Sequence, residues 1–282
     1  MTRVAVVGHV EWIEFARVPR LPVSGDIVHA TEVWEEAGGG GAVAAVQLAK
    51  LGGGADFFTA LGSDERARRS AERLARHGVR VHASPRDVPQ RRGFTHIDAD
   101  GERTITVIGE RIVPRGADPL PWELLAETDG VYFTGGDTGA LQAARQARAL
   151  VATPRADATL LAAGVQLDAL VRSGSDAGER LDPSRLDPPP RYVVTTAGGR
   201  GGRWEAADGS SGAWEAAPLP GPMRDAYGAG DSFAAALAYG LGDSRGIGGA
   251  CALAARAGAH KLAGRAPFEN QLEDPGPRAD GG

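Results

Sequence analysis

The sequence has little of several features that whole classes of proteins require. Cys251 is the only cysteine in 282 residues, which excludes an internal disulfide and a zinc site built from several cysteines. Lys50 and Lys261 are the only lysines, the 31 basic residues form no basic stripe, and the formal net charge is −5. These features argue against nucleic acid or an anionic membrane as the main partner.

Long apolar runs are also missing. None reaches the roughly 18–20 residues that a membrane helix needs, and the first apolar stretch, Val4 to Gly8, is too short for a secretion signal. We therefore expect a soluble, cytoplasmic protein. A Gly-x-x-x-x-Gly-Lys-[Ser/Thr] run is absent, and no Gly-x-Gly-x-x-Gly follows the first strand, so P-loop and Rossmann nucleotide sites are disfavoured.

What the sequence does contain is an alternation of strand-like and helix-like segments. This alternation predicts an α/β fold with a doubly wound, mostly parallel sheet in a single domain over residues 1–268. The Pro-, Gly- and Asp-rich segment 269–282 is expected to be a disordered tail. The predicted strands are 3–10, 56–60, 130–134, 168–171 and 192–196, and the predicted helices are 43–51, 64–77, 138–149, 229–241 and 249–262.

Two segments, 26–36 and 92–107, depart from this rhythm because their β-formers recur with a period near two. The second contains an Asp100-Gly101 turn between two strand-like runs and predicts a hairpin. A small second sheet over the site would bury the apolar faces of these strands. An edge hairpin on the main sheet is the alternative.

The turn between Asp225 and Asp231, with the sequence Asp-Ala-Tyr-Gly-Ala-Gly-Asp, opens into an Ala-rich helix. Unpaired amides at a helix start can bind an anion, and an adjacent carboxylate can act as a base. An ordinary sharp loop with a favourable acid in the first helical turn is the simpler interpretation. That interpretation leaves the second acid, Asp225, and the absence of large side chains at 228–230 without a reason.

This turn resembles the second signature of the ribokinase-like (PfkB) carbohydrate kinases. The resemblance implies that Gly228, Ala229 and Gly230 form an anion hole for the transferred phosphate and that Asp231 is the catalytic base. Asp225 would help to bind a monovalent cation, as its counterpart does in some relatives. Ala226 stands where the family usually has Thr.

The resemblance extends to the substrate side. Gly38 and Gly39, before a helix that ends in Leu-Gly, match the family's first signature, but Val43 takes the place of its sugar-binding Asn. In the first strand Ile13 replaces an Asp, and Glu11, which takes the place of another Asn on the same strand face, is expected to contact a substrate hydroxyl instead. We therefore expect a substrate unlike ribose in a less polar site. Arg103 matches a lid residue that can meet the substrate, although a solvated hairpin Arg is an equal alternative.

The nucleotide side shows weaker matches. Thr196, Gly198 and Gly201 resemble the family's nucleotide loop, for which a glycine hairpin is the alternative. Ser173 and Asp176 stand where the family has Asn-x-x-Glu, which implies that Asp176 contacts magnesium through water. The lid of the family often pairs with a second subunit, so a homodimer through the lid is expected.

Together these features predict a kinase that uses ATP and Mg²⁺ to phosphorylate an alcohol of a small sugar-like or nucleoside-like metabolite. A ligand-binding or regulatory protein of the same fold, weakened in catalysis, is the alternative. The altered Asn, Asp and Asn-x-x-Glu positions favour it, whereas the presence of both Asp225 and Asp231 argues against it.

Overall fold

The computed structural model describes residues 1–179 and 181–277. In chain order its strands are β1 (Val4–Val7), β2 (Glu11–Arg17), β3 (Glu32–Gly38), β4 (Ala55–Leu61), β5 (Val79–Pro85), β6 (Arg92–Ile97), β7 (Arg103–Ile108), β8 (Gly130–Phe133), β9 (Ala149–Ala152), β10 (Ala169–Ser173), β11 (Tyr192–Thr196), β12 (Gly202–Ala206) and β13 (Ser211–Trp214). The α-helices are α1 (Gly39–Gly52), α2 (Glu65–Arg76), α3 (Thr138–Ala144), α4 (Asp157–Ala163), α5 (Ala229–Gly242) and α6 (Gly246–Leu262). None of the helices in this described part has the length and apolarity that crossing a bilayer requires.

The larger sheet has the strand order β13-β12-β11-β10-β9-β8-β1-β4-β5. Its strands are parallel except for the pairs β11–β12 and β12–β13. The residues of β1 alternate between two cores: Val4 and Val6 pack with residues of α1, α5 and α6, whereas Ala5 and Val7 pack with residues of α3 and α4. Helices thus cover both faces, which makes the central strands apolar throughout and confirms the predicted doubly wound fold.

A separate small sheet has the order β3-β2-β6-β7. Three of its strands lie in the segments expected to form a lid, and Gly101 (φ +81°) takes the positive φ that the β6–β7 hairpin turn requires. Three residues separate the fourth strand, β2, from the end of β1. The predicted first strand 3–10 is therefore too long, and the lid strand that follows it was not predicted. Pairing of two copies through this sheet stays a prediction.

Two other expectations are wrong. The predicted helix 138–149 ends at Ala144, and Ala149 begins β9 instead, because a buried position between β8 and β10 overrides the helix propensity of the Ala- and Leu-rich sequence. The tail is ordered over its first nine residues: Gln271 donates to the Val43 carbonyl (2.8 Å), and Leu272 is buried in the core. Residues 278–282, the rest of the predicted tail, lie outside the described residues.

Candidate active site

The turn before α5 has the geometry that anion binding requires. Gly228 is buried with φ +77°, and a β-carbon there would lie 2.7 Å from Cγ1 of Val43, so only glycine fits. Gly228, as the N-cap residue, has no side chain that could cap the amides of the first turn of α5. Gly230 differs from Gly228 because it is exposed and a β-carbon there would meet nothing within 4 Å. The strict conformational requirement therefore falls on Gly228 alone.

Asp231 lies in the first turn of α5 and faces the start of α1. A β-carbon at Gly40 would lie 2.6 Å from Oδ1 of Asp231, so the two helix ends approach closely at this carboxylate. The hydroxyl of Tyr132, on β8, donates to Oδ1 (3.3 Å). Burial raises the pKa of Asp231, while Arg155 and Arg103 oppose the rise with their positive charges. A carboxylate with a raised pKa is better suited to accept a proton.

Asp231 borders two adjoining cavities, of about 510 and about 200 Å³. Both are also lined by Gly228, Arg103 and Arg155. The larger one extends to residues of the small sheet and to the start of α1, whereas the smaller one extends to the carboxyl ends of β10 and β11. The carboxylate thus stands where a ligand in one cavity meets a ligand in the other, as a group-transfer site requires.

Charged side chains line the far end of the larger cavity. Oε1 of Glu11 lies 3.0 Å from Nε of Arg91 and 3.7 Å from Nε2 of His9. Burial raises the pKa of Glu11, and Arg91 and Arg111 counteract this rise. The pKa of His9 is held well below its ordinary value by burial, Arg111 and Arg91. Since Nη2 of Arg111 lies 3.0 Å from Nδ1 of His9, that nitrogen accepts, and the ring is neutral with its proton on Nε2.

The other residues expected on the substrate side divide into two groups. Gly39 lines the cavity, and its amide donates to the Tyr227 hydroxyl (2.7 Å). Gly38 lies behind it, where a β-carbon would meet Tyr227 and Ile13, and Val43 is fully buried under the Gly228 turn. The cavity lining does not include Gly38, Ile13 or Val43. Two of the substituted positions, Ile13 and Val43, are therefore not at the surface of the site, and its reduced polarity stays a prediction.

Of the three residues expected to bind the nucleotide, one lines the smaller cavity and two form a hairpin turn. Thr196 lines the smaller cavity. Gly198 (φ +58°) and Gly201 (φ +80°) form the tight link of the β11–β12 hairpin, in which the Ala197 amide donates to the Gly201 carbonyl (2.7 Å). The alternative of a glycine hairpin is thus what the backbone forms, and it borders the smaller cavity through Thr196.

The expected magnesium contact, Asp176, also borders this cavity. Its carboxylate accepts from Nη2 of Arg155 (2.6 Å) and from the Gly178 amide (2.8 Å). Glu179 adds a second carboxylate, 3.2 Å from Nε of Arg155. No group of three or more His, Cys, Asp or Glu side chains able to hold a metal ion exists within residues 1–179 and 181–277. Two carboxylates suit contact with magnesium through its water shell, because Mg²⁺ keeps several waters in most sites.

Asp225 does not line either cavity but supports the turn from below. It is fully buried, and its Oδ1 accepts from the Tyr227 amide (2.7 Å). Its Oδ2 and Nζ of the fully buried Lys261 are both without a hydrogen-bond partner in the described residues. Burial raises the pKa of Asp225 and lowers that of Lys261, and the charge of each opposes the shift of the other. The charge of Lys261 offsets that of Asp225, so this carboxylate does not depend on a monovalent cation for neutralisation, and cation binding beside it stays a prediction.

Comparison with known proteins agrees with this geometry. The model of the pfkB family carbohydrate kinases matches residues 1–173 of the chain. The chain belongs to this family. No curated protein sequence matches it significantly.

Several solved structures have a fold similar to that of this chain. Ribokinase from Giardia lamblia has 18% identity and a TM-score of 0.78, covering 96% of each chain. Arabidopsis thaliana ribokinase, solved with ribose and ATP, has 20% identity and a TM-score of 0.76, covering 98% of this chain and 97% of that one. A microbiome-derived acarbose kinase has 22% identity and a TM-score of 0.77 over 92% of each chain. At these identities the likeness establishes the fold.

Several residues at this pfkB site were missed by sequence reasoning. They are Arg91, Arg111, Tyr132, Arg155 and Glu179. A usable signal existed for Tyr132, since it lies near the carboxyl end of a predicted parallel strand, where ligands of open α/β sheets bind. The arginines carried no such signal, because arginine is abundant throughout the sequence.

Proposed function

We propose that the chain is a kinase that transfers the γ-phosphate of ATP to an alcohol of a small sugar-like or nucleoside-like metabolite. The observation that carries this proposal is the position of Asp231, which borders both cavities directly beside the uncapped amides of α5. Phosphoryl transfer requires a base for the attacking hydroxyl and donors for the charge on the transferred group. Both are present at this turn.

In the proposed reaction the acceptor alcohol lies in the larger cavity and the nucleotide in the smaller one, beside the hairpin of Thr196, Gly198 and Gly201. Asp231 accepts the proton of the alcohol as its oxygen forms a bond to the γ-phosphorus. The bond from that phosphorus to the bridging oxygen breaks, and ADP leaves with the electron pair. The amides of turn 228–230 and the guanidinium groups of Arg103 and Arg155 stabilise the transferred group.

Magnesium fits the same end of the site. When bound, it would neutralise charge on the β- and γ-phosphates. Asp176 and Glu179 would hold it through water, and Arg155 fixes both carboxylates in place. The interpretation as a binding protein without turnover is disfavoured, because Asp231, Gly228 and the uncapped amides all keep the geometry that transfer needs.

ADP release over a panel of sugars, sugar acids, sugar phosphates and nucleosides tests this proposal. Asp231→Asn should lower turnover by about 10²- to 10⁴-fold, because the base is lost, while ATP binding measured by calorimetry persists. Asp157→Asn is the matched control, since Asp157 lines the same cavity on α4 and its Oδ1 accepts from the neighbouring Ala158 amide. Equal turnover of wild type and Asp231→Asn would refute the assignment.

A further inference from the structure

The charges at the far end of the larger cavity do not balance. Glu11 is paired with Arg91 (3.0 Å), and His9 is neutral. Every hydrogen bond of Arg111 within the described residues goes to a neutral acceptor: Nδ1 of His9, the Thr134 carbonyl and the Arg155 carbonyl. Glu11 and Asp231 act on the charge of Arg111 only from a distance, and Arg111 forms no ion pair with a carboxylate of the described residues.

Those hydrogen bonds also fix the guanidinium in place. The Thr134 and Arg155 carbonyls, at 2.7 and 3.2 Å, tie it to the large sheet and its connections. A guanidinium has five N–H donors, and these contacts use four of them. One donor remains available to a ligand, and the guanidinium has no directly paired carboxylate and an orientation that is already set.

The position of Arg111 separates it from the nucleotide. Arg103 and Arg155 line both cavities and can serve the phosphates in transit. Arg111 lines the larger cavity but not the smaller one, which contains Thr196 and Gly230. Its charge therefore faces the acceptor molecule.

We propose that the acceptor alcohol also carries an anionic group, a carboxylate or a phosphate, which pairs with Arg111. The identity of the molecule as an acceptor rests on the proposed kinase function, whereas its charge rests on Arg111 alone. Arginine is suited to such a group because its planar N–H donors match a carboxylate or phosphate and the bond is charge-assisted. A neutral sugar would leave the charge of Arg111 partly desolvated and unpaired, which is unfavourable.

Binding to matched pairs of ligands tests this proposal without requiring turnover. The pairs are glucuronate with glucose, which isolates a carboxylate, and ribose 5-phosphate with ribose, which isolates a phosphate. Calorimetry on the full chain should show that at least one anionic member binds more tightly than its neutral partner. Arg111→Gln should weaken that ligand by about 10- to 100-fold, and Arg111→Lys should weaken it less because the charge remains.

Arg92→Gln is the control for loss of one arginine, because Arg92 lies outside this cavity and pairs with Glu14 on the small sheet. It should keep the affinity of wild type. The proposal is overturned if no anionic member is preferred in either pair, or if Arg111→Gln keeps the whole preference. Phosphorylation of neutral sugars alone would overturn this proposal and leave the kinase function standing. Anion binding through Arg111 with no ADP release from any acceptor would do the reverse.

Discussion

The two ends of the larger cavity depend on different structural features. The end at Asp231 depends on backbone shape: a glycine with positive φ, uncapped helix amides and one carboxylate. The end at Glu11 depends on charged side chains that come from separate segments of the chain, Arg91 and Arg111 among them. A change of side chain can alter the second end without reshaping the first. The type of reaction and the choice of substrate are therefore separable in this molecule.

Removal of the Lys261 charge, beneath the Asp231 end of the cavity, should have the largest effect of the changes considered. Lys261→Met leaves Asp225 buried without its compensating charge, so we expect a loss of about 3–5 kcal/mol in the free energy of unfolding. Lys50→Met is the control, because Lys50 pairs with the exposed Glu273 and donates to the Phe268 carbonyl, and it should lose only about 1–2 kcal/mol. Urea denaturation of both variants measures the difference.

The charge of Lys261 also predicts how turnover depends on the cation in the buffer. Turnover of the wild type should be equal in potassium and in choline salts, because Lys261 supplies the cation beside Asp225. Strong stimulation by potassium would contradict this role of Lys261, as would equal destabilisation of the two lysine variants.

The shape of the turn gives the next effect. Gly228→Ala forces a β-carbon against Val43 at a positive φ and should misplace the amides, which costs about 10²–10³ in turnover if one donor is lost. Gly230→Ala adds the same methyl group where nothing on the protein is within 4 Å, so its loss should be smaller. Turnover and circular dichroism of both variants test this order. Equal turnover of the two variants would show that backbone shape at Gly228 is not what matters.

The smallest effect concerns pH. Burial raises the pKa of Asp231, and Arg155 is the strongest charge that lowers it. The base acts when deprotonated, so kcat/KM should fall as pH drops through this pKa. Arg155→Gln should therefore move the acid limb of the pH profile to higher pH, and the surface variant Arg92→Gln should leave it in place. An acid limb that stays unmoved in Arg155→Gln would remove Arg155 from the control of Asp231.

Residues at the Asp231 end of the cavity were easier to predict from the sequence than residues at the Glu11 end. Asp225 to Asp231 form one contiguous segment, so the sequence predicted a turn with a carboxylate beside helix amides, and the family resemblance implied that this carboxylate is the base. The second end combines His9, Glu11, Arg91 and Arg111, which only the fold brings together. Val43 illustrates the difficulty, because its position in a motif suggested a ligand contact that its place beneath Gly228 prevents.

Secondary structure was likewise predicted well where local sequence determines it and poorly where pairing with distant strands determines it. Strands and helices with strong periodicity were found, but β9 was mistaken for the end of a helix. Its residues, Ala149 to Ala152, have no strand pattern of their own, and pairing with β8 and β10 decides their structure. The β11–β12 hairpin likewise depends on an antiparallel partner that glycine content alone does not specify.

The short link from β1 to β2 joins the two sheets at the site. Only Gly8, His9 and Val10 separate an inner strand of the large sheet from an inner strand of the small one. Glu11 and Arg103 belong to the small sheet, whereas Asp231 belongs to a helix packed on the large sheet. Glu11 and Asp231 therefore stand on different layers at the two ends of one cavity. An acceptor that contacts both has to span that cavity, so its length as well as its charge would govern how well it fits.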